Sequence, residues 1–525
     1  MANYKHGVYT SEVDTSLVAP VEGTAGLQVI VGTAPVHTLA DPAAAVNKPL
    51  LVSNYKEAVA AVGYSDDFAK YTICEAIAAN FSYIGVGPLV LINVLDPAKH
   101  SAAFSNQVLQ VNGGVAVLNK AGVLLPELKV EVEIEAETAE AGAGSGTATG
   151  DGAELDGDSE ETPAESETAG ESEKKTLTPG TDYTASRNDD DTVSIILIAG
   201  SEYADATQLI VSGKAVDAGL VTAADIVGGV NTETGEETGL EVIRQVYPKL
   251  GMTPGILLAP RFSMDATVAA ALQAKTKGIN GVFKCVCFID IDSRATTGAR
   301  KYADVKNAKE AQAATDTNGY GVWPACAIGD IVFSGSVMAG ALTAYTDAMN
   351  DDTPNVSPSN KTLPISKACL IDGTEVVLDQ EQANTVNSFG VATFLNVNGF
   401  RLWGNNTLAY PGNTDPKDRW ISVKRFLCWA ANTFILTYFQ KVDDPMNKRL
   451  IEAIVDSENV RGNGFVARGV CARYETTYNE DENTTTDLLD GRITFHQYIT
   501  PFTPAEDIED VIEFDPNALS AALSQ

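Results

Sequence analysis

Between Ser105 and Asp182 there is no aromatic residue, and residues 131–173 carry fifteen Asp or Glu with no Lys or Arg. Residues 136–172 are drawn almost entirely from Glu, Ala, Gly, Ser, Thr and Asp. A stretch of this kind has too little apolar area to offset its ordering entropy, and its charges repel one another. Any core must therefore be assembled from the chain on either side. The expectation for 136–173 is a long, solvated, mobile loop.

The flanks of that loop read as strands. Residues 107–111 and 114–118 precede it, and Leu128 to Ile134 alternates with period two. Tyr183-Thr184, residues 192–198 and residues 208–211 follow it. Residues 98–228 are thus expected to form a small all-β module. Around it the texture is α/β. Gln28 to Gly32, Pro88 to Leu95, Gly255 to Pro260 and Phe283 to Asp290 are continuous apolar runs, the mark of strands covered on both faces. Helices are expected at 55–62, with Gly63 as the stop, and at 71–81, 239–250 and 265–277. This order suggests a largely parallel sheet over 23–97 and 229–395, interrupted by the β module.

The last third differs. Trp420 to Gln440 reads as a long amphipathic helix with Lys424 and Arg425 on its polar side, and 445–459 as a second helix. Residues 466–478 and 491–500 look like a hairpin around an acidic turn. The whole chain of 525 residues carries a net charge of -34, which argues against nucleic acid or an anionic membrane as its partner. Residues 400–475 nevertheless hold eleven basic and eight acidic side chains, a local excess of +3. No run of about 18 apolar residues is present. The first residues lack the apolar core of a signal peptide, so synthesis and folding in a cytosol are expected. The seven Cys are scattered and odd in number, as expected of buried thiols in a reducing compartment.

Motifs that carry chemistry are scarce. The chain has no phosphate-binding G-x-x-x-x-G-K-[ST], no H-E-x-x-H, no G-x-S-x-G and no C-x-x-C. Gly462 to Ala467 fits a loose G-x-G-x-x-A but reads as a turn before a strand. Cys285 and Cys287 share one face of an apolar strand and read as core thiols. Asp290 and Asp292 lie at a strand end, where open α/β sheets place ligands and where a carboxylate pair can hold Mg²⁺. The plainer reading is a turn cap. A triad from His37, Asp290 and a serine can be written down, but no serine is singled out. No catalytic residue, cofactor or metal site is expected. The two ends look made for partners: Tyr4 to Val13 is strand-prone, and near the C-terminus Ile512 and Phe514 alternate with Glu513 and Asp515. An extended end with a half-apolar face can add to a neighbour's sheet edge.

A series of motifs, in order along the chain, then resembles a known family. Tyr4-x-x-Gly7-Val8-Tyr9-x-x-Glu12-Val13 opens it, with His6 where that family usually has Pro. Val29 to Ala34, Pro49 to Tyr55 and Gly87 to Val94 follow, Asn93 standing where Arg is common. Tyr320 to Pro324, Ser334 to Gly340, Asn384-x-x-Asn387-Ser388-Phe389 and Leu402 to Leu408 come next, with Phe333 and Asn406 as departures. Trp420 to Phe426 and Thr503 to Ile508 complete the series. The pattern is similar to the tail sheath proteins of contractile injection machines: myophage tails, R-type bacteriocins and their relatives.

The resemblance implies a fold that is α/β and α+β multidomain. It comprises an N-terminal arm (1–22), an α/β sheath core (23–97 and 229–395), an inserted outer all-β module (98–228), an α+β tube-facing C-terminal domain (396–503) and a C-terminal arm (504–525), with exchanged terminal arms. It implies a structural protein, not an enzyme. Subunits would stack as hexameric rings in a helical homo-oligomer around an inner tail tube protein, and contract to drive that tube through a cell envelope. Baseplate and tail terminator proteins would be further partners, with no nucleic acid and no direct membrane insertion. Assembly would take place in a bacterial host cytoplasm, and the product would be the sheath of a virion tail or contractile particle. Tyr4, Val8, Tyr9, Val13, Ile508, Ile512 and Phe514 become candidate inter-subunit arm residues, and Lys417, Arg419, Lys424 and Arg425 candidate tube-facing residues. The competing readings are an α/β hydrolase or peptidase-like enzyme, since sheath cores have been likened to a subtilisin-type fold, and a surface-layer or adhesin protein.

Overall fold

The computed structural model describes residues 18–135 and 172–524. The chain separates into two compact units, Pro97–Leu220 and the remainder. Most of the acidic segment, residues 136–171, lies outside the described residues.

The larger unit is built on a sheet of eight strands. In chain order these are β1 (Gln28–Gly32), β2 (Leu50–Val52), β3 (Leu89–Asn93), β4 (Ile256–Leu258), β5 (Val286–Asp290), β6 (Gly319–Val322), β7 (Val391–Asn396) and β8 (Phe400–Trp403). Their spatial order is β2-β3-β1-β4-β5-β6-β7-β8. The six central strands run parallel, and β2 and β8 close the two edges antiparallel. Every residue of β1, β3, β4 and β5 is buried, which is why these segments read as unbroken apolar runs. Strands β7 and β8 pair across residue 396, so the sheet continues through the point where the sequence suggests a boundary.

A helix absent from the sequence expectations, α1 (Gly335–Ala348), lies on this sheet with nearly every residue buried. Its small side chains allow the close approach: a Cβ at Gly340 would come within 3.0 Å of Gln28 Oε1. The expected helix at 55–62 forms with those bounds, and 239–250 forms as a 3-10 segment followed by an α-helix; those expected at 71–81 and 265–277 form with shifted ends, the first of them running into a π turn. Asn54 caps the first, accepting from the Glu57 N–H, and Gly63 ends it at φ +77°.

The Pro97–Leu220 unit holds two antiparallel sheets. One has four strands (Ser101–Gln110, Lys129–Glu135, Ser172–Thr176 and Gln208–Val216) and the other three (Val115–Leu118, Tyr183–Arg187 and Val193–Leu197). They share a core that includes Val130, Tyr183, Val193, Ile195, Leu209 and Val211. Lys129–Glu135 and Ser172–Thr176 pair as far as Glu135 and Ser172, so Ser172 and Glu173, expected in the loop, belong to a strand.

Candidate assembly surface

The last third of the chain forms two long helices and a hairpin. Helix α2 (Ile421–Tyr438) and helix α3 (Lys448–Ala467) enclose an aromatic cluster. Phe426 and Trp429 pack at 5.4 Å between ring centres, Trp429 and Phe465 at 5.6 Å, and Phe465 and Tyr474 at 5.7 Å. Tyr474 belongs to β9 (Cys471–Tyr478), which pairs antiparallel with β10 (Phe495–Pro501). The expected turn at 462–467 is instead the last part of α3, because the hairpin needs a close approach there. A Cβ at Gly462 would meet the Tyr474 carbonyl oxygen at 2.3 Å. The helix ends at Ala467, the last residue of that motif, and Gly469 just past its end takes φ +71°.

A buried polar network fastens the hairpin to α3. The Glu458 carboxylate accepts from Arg461 Nη2 at 2.6 Å, the Tyr474 hydroxyl at 3.2 Å and Gln497 Nε2 at 3.0 Å. β9 and β10 form a sheet of only two strands; the outer edge of β9 lies against α3, where the Thr476 N–H donates to Asn459 Oδ1 at 2.7 Å and its carbonyl accepts from Asn459 Nδ2 at 3.0 Å, while among the described residues the outer edge of β10 has no strand partner. Such an edge is a row of free N–H and C=O groups.

The two ends of the described chain lie on or beside this assembly. The Val21 and Gly23 N–H groups donate to Thr437 Oγ1 and Thr433 Oγ1, both at 3.0 Å, one turn apart on α2. The Val18 N–H donates to Ser457 Oγ of α3 at 2.8 Å. Trp429 Nε1 closes the contact on the Gly23 carbonyl at 2.8 Å. The incoming chain is thus tied across both helices. The arm candidates Tyr4, Val8, Tyr9 and Val13 lie outside the described residues. At the other end, 502–515 has no regular secondary structure and leads into α5 (Pro516–Leu523), following the short α4 (Thr485–Leu489). Ile508, Ile512 and Phe514 are 84%, 89% and 80% exposed. Among the described residues nothing covers them.

The basic candidates are largely neutralised already. Lys417 is exposed and faces Asp415 at 3.4 Å, while Lys424 holds Asp418 at 2.8 Å. Arg419 sits over the rings of Tyr410 and Trp420, donates to Asn406 Oδ1 at 2.8 Å, and binds Glu506 of the C-terminal segment at 2.7 Å. That ion pair lies in a polar cleft of about 700 Å³ whose wall includes Asn384, Asn387 and Trp403. Arg425 requires a correction. It is buried, paired with Asp347 of α1 and donating to the Ala25 carbonyl, so it fastens α2 to the core and presents no charge to a surface. Helical periodicity alone places it beside Lys424; its partner, 78 residues away in sequence, is what draws it inward.

The strand-end carboxylates are occupied within the fold. Asp290 accepts from the Ser336 N–H at 2.8 Å, Ser336 Oγ at 2.7 Å and Ser263 Oγ at 3.1 Å, so it caps the start of α1. Burial pushes its pKa up, against those hydrogen bonds. Asp292 binds Arg294 at 2.9 Å and Thr297 at 2.7 Å. Cys285 and Cys287 are buried, and burial raises both thiols. Among the described residues, no group of three or more His, Cys, Asp or Glu is placed to hold a metal. His37 packs against Tyr71 at 5.9 Å between ring centres.

No family model matches the chain. The tail sheath protein of Burkholderia phage BcepMu is 26% identical over 522 residues, covering 96% of this chain and 95% of that protein. The chain's relatives are tail sheath proteins. A putative prophage major tail sheath protein of Pseudomonas aeruginosa is 24% identical over 328 residues, which is 61% of this chain and 80% of that one. Among solved structures, a chain of the anti-feeding prophage baseplate superposes with TM-score 0.53 at 12% identity, covering 98% and 100% of the two chains. The sheath of the extracellular contractile injection system PVC, in its contracted state, superposes at 0.52 with 11% identity and 99% of each chain covered. The mixed α/β multidomain fold is therefore that of sheath structures. Relatives and structural neighbours alike are structural sheath proteins, not enzymes.

The sheath-like motifs occupy structural positions. The Tyr320 hydroxyl donates to the Gly404 carbonyl at 2.7 Å, and Trp323 Nε1 to the Ala299 carbonyl at 3.1 Å. Asn93 Oδ1 accepts from the Ala34 N–H at 2.9 Å, and Asn406 bridges Arg419 and the Asn387 carbonyl. Two features escaped sequence reasoning. The Thr433–Thr437–Ser457 rail carries no motif. The Arg419–Glu506 pair joins positions 87 residues apart.

Proposed function

We propose that the chain is the structural subunit of a contractile tail sheath. Copies stack as hexameric rings around an inner tube, and the lattice contracts to drive the tube through a cell envelope. The observation that carries this is the pairing of unmet needs on one chain: a two-stranded sheet whose β10 edge has no strand partner among the described residues, and a C-terminal segment whose alternating apolar residues stand in solvent. Strand addition by arms of neighbouring copies satisfies both. Burying Ile508, Ile512 and Phe514 contributes roughly 1.5–3 kcal/mol each. The tied-down entry of the chain at Val18 supports a second arm formed by residues 1–17, with Tyr4, Val8, Tyr9 and Val13 as its contacts.

In this reading the Pro97–Leu220 unit and its acidic segment face outward. Lys417, Arg419 and Lys424 face the tube; Arg425 does not. The inner tube, baseplate and tail terminator proteins are the partners, assembly takes place in the bacterial cytoplasm, and the energy of contraction is stored in lattice contacts rather than drawn from a nucleotide. Negative-stain electron microscopy of the full chain, alone and with inner tubes, tests the proposal. Hollow, striated cylinders are expected, and they should be lost when 504–525 are removed. A wild-type chain that stays dispersed under both conditions overturns it.

A further inference from the structure

A lysine is seldom buried without a counter-charge. Lys309, on the helix Val305–Ala311, is 6% exposed and forms no ion pair among the described residues. Its Nζ donates to the Phe389 carbonyl at 2.5 Å and to the Tyr410 carbonyl at 2.8 Å. An ammonium has three donors, so one N–H is left over. The backbone beside it leaves room for this arrangement. Gly390 takes φ +73°, and a Cβ there would come to 3.0 Å from Lys309 Nζ and 2.3 Å from the Tyr410 carbonyl oxygen.

Lys309 stands on the wall of a cleft of about 730 Å³. Phe389, Leu408, Ala409 and Pro411 give that wall its apolar surface, and its charged residues are Lys306, Lys309 and Glu310. Glu310 is exposed and faces Lys306 at 3.9 Å. Asp316, on the following loop, is held by Lys277 at 2.5 Å. In the segments that meet Lys309 from other parts of the fold, 388–390 and 408–413, Tyr410 is the one titratable side chain. Burial lowers the Lys309 pKa to about 8, and the opposing pull of Glu310 does not offset it. The wall thus carries one cation in excess and an ammonium short of an acceptor.

We propose that this cleft binds a small monocarboxylate with an apolar body, of the medium-chain fatty acid class, whose carboxylate accepts the third N–H of Lys309. The carboxylate supplies the counter-charge that the fold does not, through a charge-assisted hydrogen bond. Phe389, Leu408, Ala409 and Pro411 cover the apolar body. The volume suits a whole small molecule rather than one side chain of a partner protein. A bound anion favours the ammonium over the amine, so binding raises the Lys309 pKa and weakens as pH rises through 8.

Isothermal titration calorimetry of the full chain with octanoate tests this. Saturable binding at one site per chain is expected, with octanol, the same body without the charge, about tenfold weaker or more. Octanoate is ionised at both pH 7 and pH 9, while the protonated fraction of Lys309 falls from about ten-elevenths to about one-eleventh, so its affinity drops about tenfold between them. Lys309→Met loses the site, and Lys306→Met, at an exposed position, keeps it. Absence of saturable binding, octanol that binds as tightly, an affinity indifferent to pH, or unchanged binding by a folded Lys309→Met chain each overturns the proposal. The octanol and pH comparisons use the wild-type chain, so they decide even where Lys309→Met does not fold. The site belongs to a single copy, so its failure leaves the sheath reading standing.

Discussion

Replacing Arg425 by methionine separates a buried fastening from a surface charge. The Arg425 and Asp347 side chains are 2% and 1% exposed. Nη1 of Arg425 donates to Asp347 Oδ1 at 3.0 Å, and Nη2 donates both to Asp347 Oδ2 and to the Ala25 carbonyl at 3.2 Å. The pair joins α2 to α1 and to the incoming N-terminal segment. Methionine keeps most of the apolar stem, so the change is chiefly electrostatic. Removing one member of a buried pair costs about 3–5 kcal/mol, because the other charge is left without compensation. Against a typical domain stability of about 5–15 kcal/mol, that is large but survivable. The pH dependence gives a second signature. Burial raises the Asp347 pKa while Arg425 pulls it back, so without Arg425 it rises further. A carboxyl that binds its proton more tightly when folded makes stability fall as pH rises from its ordinary value, about 4, to the raised one. The Arg425→Met deficit is therefore greatest at neutral pH and shrinks on acidification. Urea unfolding of unassembled protein, followed by the fluorescence of Trp420 and Trp429, measures it at both ends of that range. The Asp347→Leu/Arg425→Met double variant recovers most of the loss. A single variant within about 1 kcal/mol of wild type at neutral pH, or a deficit that grows in acid, refutes the reasoning.

Lys417 has only a long ion pair to Asp415, so Lys417→Glu leaves stability within about 0.5 kcal/mol but weakens coating of inner tubes; normal co-sedimentation with tubes removes Lys417 from the tube face. Because Glu135 and Ser172 pair directly, replacing residues 136–171 by an Asn-Gly turn preserves the hairpin and the assembly of cylinders; loss of cylinders in micrographs rules out the outward placement. Gly462→Ala drives a methyl into the Tyr474 carbonyl and destabilises the helix–hairpin contact by about 1–3 kcal/mol, read as an earlier urea midpoint with assembly lost; an unchanged midpoint means the approach is looser than the geometry shows.

What the sequence makes legible follows from periodicity. Strands β1, β3, β4 and β5 stand out because both faces are buried, which writes an apolar run without interruption. Burial on nearly all sides hides α1 for the same reason: Gly335 to Ala348 buries its Ser336, Thr343, Thr346 and Asp347 along with its apolar residues, and so offers no amphipathic stripe to find. β6 is broken up by Gly319 and Gly321, whose missing side chains admit Leu408; a Cβ at either would come within 2.6 Å of it. Gly462, Asn463 and Gly464 look like a turn by composition. They remain helical because one glycine answers a neighbour's carbonyl rather than its own backbone.

The candidate surface divides along the same line. The alternation at Ile512 and Phe514 is a local signal, and the segment that carries it is left uncovered among the described residues. The charge excess over 400–475 is also local, but what the charges do is set by distant partners. Asp347 takes Arg425 into the interior, and Glu506 takes Arg419 into the cleft. A net count treats those two arginines and Lys417 alike, and only the fold separates a fastening, a latch for the arm and an exposed cation. In the assembly proposed above the latch would have a direct role: by holding Glu506 to its own body, Arg419 fixes the point from which Asp507 to Phe514 extend, so an arm offered to a neighbour would start from a defined place rather than from a free tail. Less of the ordering entropy then remains to be lost when the arm is captured, which favours strand addition without adding a single inter-subunit contact.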